Sequence, residues 1–304
     1  MKDERICRAY QQIELSRAEK DTMLAEILSA GQNTKIRRFP MKKALTIAAA
    51  AAAVVCAVAL PRLTAVPSAP PAPLPVTVGA PAASSPNGMR RFLNYNGLRY
   101  AFLENGAAYT LAEGALGENL GTLTLDIMAD PRASGSADFA ATFALGGELF
   151  TLTGYDPAFR IAVQLDGLTY LAESVDRLDG SDVDAAAYFK TAGFDRLTER
   201  VEICDHMGFE VLNTLEGEAM QSLLDGVAQS VPAQLTDEDY QSIGHAQTEG
   251  KSFLLKLHLA DGTAYSLYVI PELGISMIGD NRYTLPAGFD ASAFDGLTQQ
   301  PLPM

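Results

Sequence analysis

Residues 252–269 read SFLLKLHLADGTAYSLYV. Apolar and polar side chains alternate on both sides of Asp261-Gly262, which is the period of a half-buried strand. Asp-Gly tolerates the positive φ that a tight hairpin turn demands. The stretch is therefore expected to form two antiparallel strands, with His258 on the polar side of the first.

The same chemistry recurs upstream. Asn96-Gly97 separates FLNY from RYAF, and Asn105-Gly106 separates YAFL from AAYTL. Gly146-Gly147 lies between FAATFAL and ELFTL, and Asp166-Gly167 between IAVQL and TYLAE. Each predicts a hairpin, so antiparallel sheet dominates from residue 90 onward. Three of the turns have the form Asn/Asp-Gly-x-x-Tyr, with Tyr100, Tyr170 and Tyr265 in the same place. A tyrosine there sits in the second strand, where aromatics pair across the ladder.

Helical material lies between the strand runs. Asp182 or Asp184 is placed to cap a segment through AAAYFKTAGF. In EGEAMQSLLDGV (216–227), Met220, Leu223, Leu224 and Val227 share one helical face. Thr236 with Asp239 has the spacing of a capping box. The fold class expected for the whole chain is α+β. It comprises a helical N-terminal tail, one transmembrane helix, and a mostly antiparallel outer region at 89–304 with a few helices. That region divides naturally into two lobes, 89–176 and 200–304, or forms one continuous domain.

The N-terminal side has a different composition. Residues 61–88 carry eight of the sixteen prolines. Proline lacks the N–H that helices and ladders need, which favours an extended linker. Before it, Ala44–Leu60 reads ALTIAAAAAAVVCAVAL without a charge. Lys35, Arg37, Arg38, Lys42 and Lys43 precede it. At about 1.5 Å per residue the apolar run spans roughly 25 Å, slightly short of a ~30 Å hydrocarbon core. Residues 1–43 carry a net charge of +4, and residues 89–304 carry −19. A bilayer crossing at Ala44–Leu60 then places the N-terminus in the cytoplasm of a single-pass cell-membrane protein, with the acidic bulk outside. Two alternatives stay open: residues 41–65 as a cleaved signal peptide, and the apolar run as a buried helix.

The tail, residues 1–43, predicts two short amphipathic helices. Ile6, Tyr10 and Ile13 form one apolar stripe, and Met23, Leu24, Ile27 and Leu28 form the other. So short a segment cannot bury these stripes alone. They are the candidate partner-binding residues, facing a cytoplasmic protein. The tail AYQQIELSRAEKDTMLAEIL (9–28), followed by a basic run, an alanine-rich span and an outer domain, resembles membrane-anchored anti-sigma-factor-like regulators of bacteria. The resemblance covers the layout and residues 9–60. It implies that the tail binds a sigma factor while the outer domain senses an envelope signal. The His-x-x-x-Cys-x-x-Cys zinc signature of one branch of that family is absent. The alternative is a secreted or membrane-tethered extracellular binding module with no signalling role.

Little in the sequence points to chemistry. His206, His245 and His258 are the only imidazoles, and there is no tryptophan. Cys204 and His206 would share a strand face, but two further metal ligands are not evident. Asp176, Asp179, Asp182 and Asp184 are close together, without the spacing or closing Glu of a calcium loop. No nucleophile elbow, phosphate loop or His-Glu-x-x-His motif occurs. The expectation is a non-enzyme without cofactor or metal. A net charge of −14 opposes direct nucleic-acid binding, which needs a basic face. The identity of any extracellular ligand is left open.

Overall fold

The computed structural model describes residues 71–82 and 89–299. The first sheet holds β1 (Val76–Ala80), β2 (Phe92–Tyr95), β3 (Leu98–Phe102), β4 (Ala108–Leu111), β5 (Leu116–Thr122), β6 (Leu125–Asp126), β7 (Ala140–Ala141), β8 (Glu148–Leu152), β9 (Arg160–Leu165) and β10 (Leu168–Arg177). Its order is β5-β8-β9-β10-β3-β2-β7-β6, with β4 also on β10 and β1 on β4. The second sheet holds β11 (Thr198–Cys204), β12 (Val211–Leu215), β13 (Val231–Pro232), β14 (Phe253–Leu259), β15 (Ala264–Ile270), β16 (Ile275–Ile278) and β17 (Asn281–Thr284). Its order is β12-β11-β14-β15-β16-β17-β13.

The turns explain the meander. Asn96 and Gly97 lie at φ 50° and 73°, and Asp166 and Gly167 at 52° and 77°. Two successive positive φ values define the primed turn that matches strand twist, and they close β2–β3 and β9–β10. Asp261-Gly262 closes β14–β15 differently. Only Gly262 is left-handed, at φ 89°, and Leu259 N–H returns to Thr263 O at 2.9 Å. Two expected hairpins are corrected. Asn105-Gly106 follows β3, but β4 then pairs β10 and β1. Gly146-Gly147 follows β7, but β8 pairs β5 and β9. A turn residue specifies a local reversal of the chain; it does not specify which strand the chain joins next. Inside the proline-rich run, VTVGA (76–80) has no proline and three β-branched residues, and it forms β1.

Beyond β10 the helices are α1 (Ala185–Ala192), α2 (Phe194–Leu197), α3 (Gly217–Ala228) and α4 (Asp237–Thr248). Asp184 caps α1, accepting from Ala187 N–H at 2.7 Å. Thr236 and Asp239 form the capping box that starts α4. Helix α3 buries Met220, Leu223, Leu224 and Val227. These join Phe189, Phe194, Val201, Ile203, Leu255, Leu257 and Leu267 in a core between the helices and the second sheet. The first sheet has its own core around Leu93, Tyr100, Leu149, Ile161 and Val163.

The expected α+β class is corrected. From residue 71 onward the chain is a β-rich domain. Among the described residues, three helices of eight residues or more accompany seventeen strands. The helices cap a sheet and do not form a layer of their own. The transmembrane expectation is corrected with it. Among the described residues no helix is long and apolar enough to cross a membrane. The longest have twelve residues, roughly 18 Å against a ~30 Å hydrocarbon core. The single-pass and anti-sigma-factor-like readings therefore have no support and are not carried forward. Ala44–Leu60 and the tail residues Ile6, Tyr10, Ile13, Met23, Leu24, Ile27 and Leu28 lie outside the described residues.

Candidate functional site: the cleft between the sheets

Strand alternation divides the second sheet into two unlike faces. Val201, Ile203, Leu255, Leu257, Tyr265 and Leu267 point into the helix-covered core. Their neighbours Arg200, Glu202, Lys256, His258, Ser266 and Tyr268 point the other way. The register sets them in rows, with Glu202 opposite Lys256 opposite Ser266, and Arg200 opposite His258 opposite Ala264. Helix α4 covers one end of this face through Ile243, Ala246, Ile270 and Ile275. The rest is an open polar surface.

Several of its groups hold one another. Arg200 Nη2 lies 3.2 Å from His258 Nδ1. His258 Nε2 lies 2.8 Å from Glu202 Oε2, close but too bent for a straight hydrogen bond. The imidazole, with Arg200, lowers the Glu202 carboxyl below its ordinary pKa, against burial, which raises it. Lys256 Nζ donates to Gly208 O at 2.6 Å.

A second wall comes from the first sheet. Thr77 and Val78 of β1, Phe102, Leu103 and Glu104 at the end of β3, and Tyr109 of β4 face Lys256, His258, Ser266 and Tyr268 across a cleft of about 860 Å³. That is within the range of small-molecule sites. Glu104 is held at φ 45°, left-handed backbone that a glutamate adopts only when its surroundings enforce it. Burial, with Glu104 and Glu173 nearby, raises the Tyr109 phenol far above its ordinary pKa.

Between the walls lies a buried charge cluster. Arg160 of β9 is 0% exposed. Its Nε and Nη2 donate to Glu173 Oε1 of β10. Its Nη1 donates to Asp261 Oδ2 at 2.7 Å, Thr263 Oγ1 at 2.8 Å and Tyr155 Oη at 2.9 Å. The guanidinium also sits 4.4 Å over the Tyr155 ring. Asp261 accepts further from Tyr155 Oη at 2.6 Å, Thr263 N–H at 2.8 Å and Thr263 Oγ1 at 2.7 Å. Burial opposes the arginine's charge, but Glu173, Tyr155 and Asp261 more than offset it, so it stays protonated. Burial also raises the Glu173 pKa, only partly countered by Arg160. One buried guanidinium thus serves two carboxylates, with Arg90 adding a weaker pull on Glu173. It also joins the sheets, because Asp261 sits in the β14–β15 turn and its carbonyl accepts from Val76 N–H of β1 at 2.7 Å.

Apart from His258 and Tyr265, which line the cleft, the sequence candidates fall elsewhere. His206 Nδ1 meets Ser252 Oγ at 3.0 Å, its ring packs 5.0 Å from Tyr268, and burial lowers its pKa. Cys204 is buried, which raises its thiol pKa. Among the described residues no group of three His, Cys, Asp or Glu could hold a metal ion. Of the acidic run, Asp184 is the α1 cap and Asp179 binds Ser181, whose hydrogen bonds lower the Asp179 pKa. Tyr100, Tyr170 and Tyr265 are all buried packing residues. Tyr100 Oη donates to Pro157 O at 2.8 Å, and Tyr265 Oη pairs with Tyr188 Oη at 3.2 Å. Sequence reasoning missed Arg160 and Glu173 altogether and read Asp261 only as a turn residue. The available signal was a lone arginine opening the apolar run RIAVQL. No family model, no curated protein and no solved structure matches this chain.

Proposed function

We propose that the β-rich unit is a binding module that holds a ligand in the cleft between its sheets. The cleft itself carries the reading: its roughly 860 Å³ lie between an open polar sheet face and a wall of Glu104, Tyr109 and Glu173. A rigid floor supports it, because Arg160 and Asp261 tie the two sheets together there. Binding is favoured over catalysis by the state of the imidazole in the cleft. Both His258 nitrogens face neighbouring side chains, Nδ1 at Arg200 and Nε2 at Glu202, so the ring is wedged between them.

Fragment screening by amide NMR of the full chain tests this. Fragments that shift Thr77, Tyr109, Ser266 and Tyr268 together, and lose that effect in Ala264→Trp, support it. Ala264 is exposed and lines the cleft, so an indole there fills space without disturbing the core. Shifts gathered on another surface, or none at all, would refute it.

A further inference from the structure

Resting on that reading, we infer that the cleft takes a short peptide with free ends in extended conformation. Three independent features of the walls converge on it.

The first is an open strand edge. Val76 turns its N–H outward to Asp261 O, so it is not bonded to β4. In an antiparallel ladder the direction alternates, and a residue's N–H and C=O point the same way. Val78, two residues on and opposite Tyr109, therefore presents both groups to the outer side. It is 54% exposed and lines the cleft. An extended chain is the ligand class that satisfies such an edge, by adding a strand to it.

The second is a half-used carboxylate. Arg160 gives both of its Glu173 bonds to Oε1. Glu173 Oε2 accepts no hydrogen bond among the described residues, and Glu173 lines the cleft at 12% side-chain exposure. Glu104 stands at the mouth of the same wall. A protonated amine brings a charge and three donors to that open oxygen.

The third is the opposite sign on the facing wall. Lys256 spends one N–H on Gly208 O and keeps two for a ligand carboxylate. Arg90, the other cation lining the cleft, is already ion-paired to Asp280. The walls thus offer an anionic side, a cationic side and a strand edge, which matches the ends and backbone of one small peptide.

The probes are trialanine, its N-acetyl derivative and its C-terminal amide, titrated calorimetrically into the full chain at pH 7 and low salt. Trialanine is expected to bind. N-acetylation should weaken it at least tenfold and amidation about fivefold. Glu104→Gln, an exposed change that leaves the core intact, should weaken trialanine at least threefold and leave the acetylated peptide unaffected. Ala264→Trp should abolish binding of all three. If the three peptides bind alike and Ala264→Trp still blocks them, the charge-paired peptide is overturned while the cleft remains a binding site. If none binds, the inference is overturned and the fragment screen decides the broader reading alone.

Discussion

Arg160→Met removes the guanidinium shared by Glu173, Asp261, Thr263 and Tyr155 and leaves a side chain of similar bulk. Two carboxylates then face each other, with Asp261 1% exposed and Glu173 12%. Breaking a buried pair by removing one partner costs about 3–5 kcal/mol. For a unit of this size each kcal/mol lowers the melting temperature by about 2–4 °C, so a drop of roughly 6–20 °C is expected. Thermal and urea unfolding of the full chain measure it. The pH dependence separates charge from packing. Without the arginine, burial holds the Glu173 carboxyl still further above its unfolded pKa. The folded state then binds more protons, so the variant gains stability as pH falls from 7 towards 5. Adding Glu173→Gln and Asp261→Asn should recover at least half the loss at pH 7. A loss below about 1 kcal/mol, or a triple variant no more stable than the single one, would refute the charge argument.

Other outcomes follow from smaller features. Asp184→Ala should cost about 1 kcal/mol, because it removes the acceptor for Ala187 N–H, and Asp182→Ala should cost little; urea midpoints distinguish them. Glu202 has a folded pKa below its unfolded one, so its contribution is present above the unfolded pKa and is lost as pH falls through the folded one. The stability gap between the wild-type chain and Glu202→Gln should therefore close on going from pH 6 to pH 3. Phe209, 85% exposed at the β11–β12 tip beside exposed Met207 and Val211, should tolerate Ser within about 0.5 kcal/mol, and light scattering should show less self-association.

What could be read in advance was local. Asn96-Gly97, Asp166-Gly167 and Asp261-Gly262 announced their hairpins because the required backbone angles favour very few residues. The caps at Asp184 and Thr236 were legible because few side chains carry an acceptor that reaches a free helix N–H. The partners of β4 and β8 were not, because pairing between distant strands depends on shape and burial across the fold. Strand β1 was hidden by the prolines on either side of it. The cleft was least visible of all: Arg160 and Asp261 are 101 positions apart, and neither flank carries a motif. The α+β expectation gave too much weight to segments whose helices turn out to be short covers for one sheet.

The buried phenols have an optical consequence. Tyr100, Tyr109, Tyr155, Tyr188, Tyr265, Tyr268 and Tyr283 all have raised pKa values, with burial the leading cause. Each ionises more readily unfolded than folded, so strong alkali draws the chain open through these rings. With eleven tyrosines and no indole in the sequence, the ultraviolet spectrum has a single dominant chromophore. Phenolate absorbance near 295 nm, followed upward from about pH 10, therefore serves as a label-free gauge of whether the two sheets are still closed.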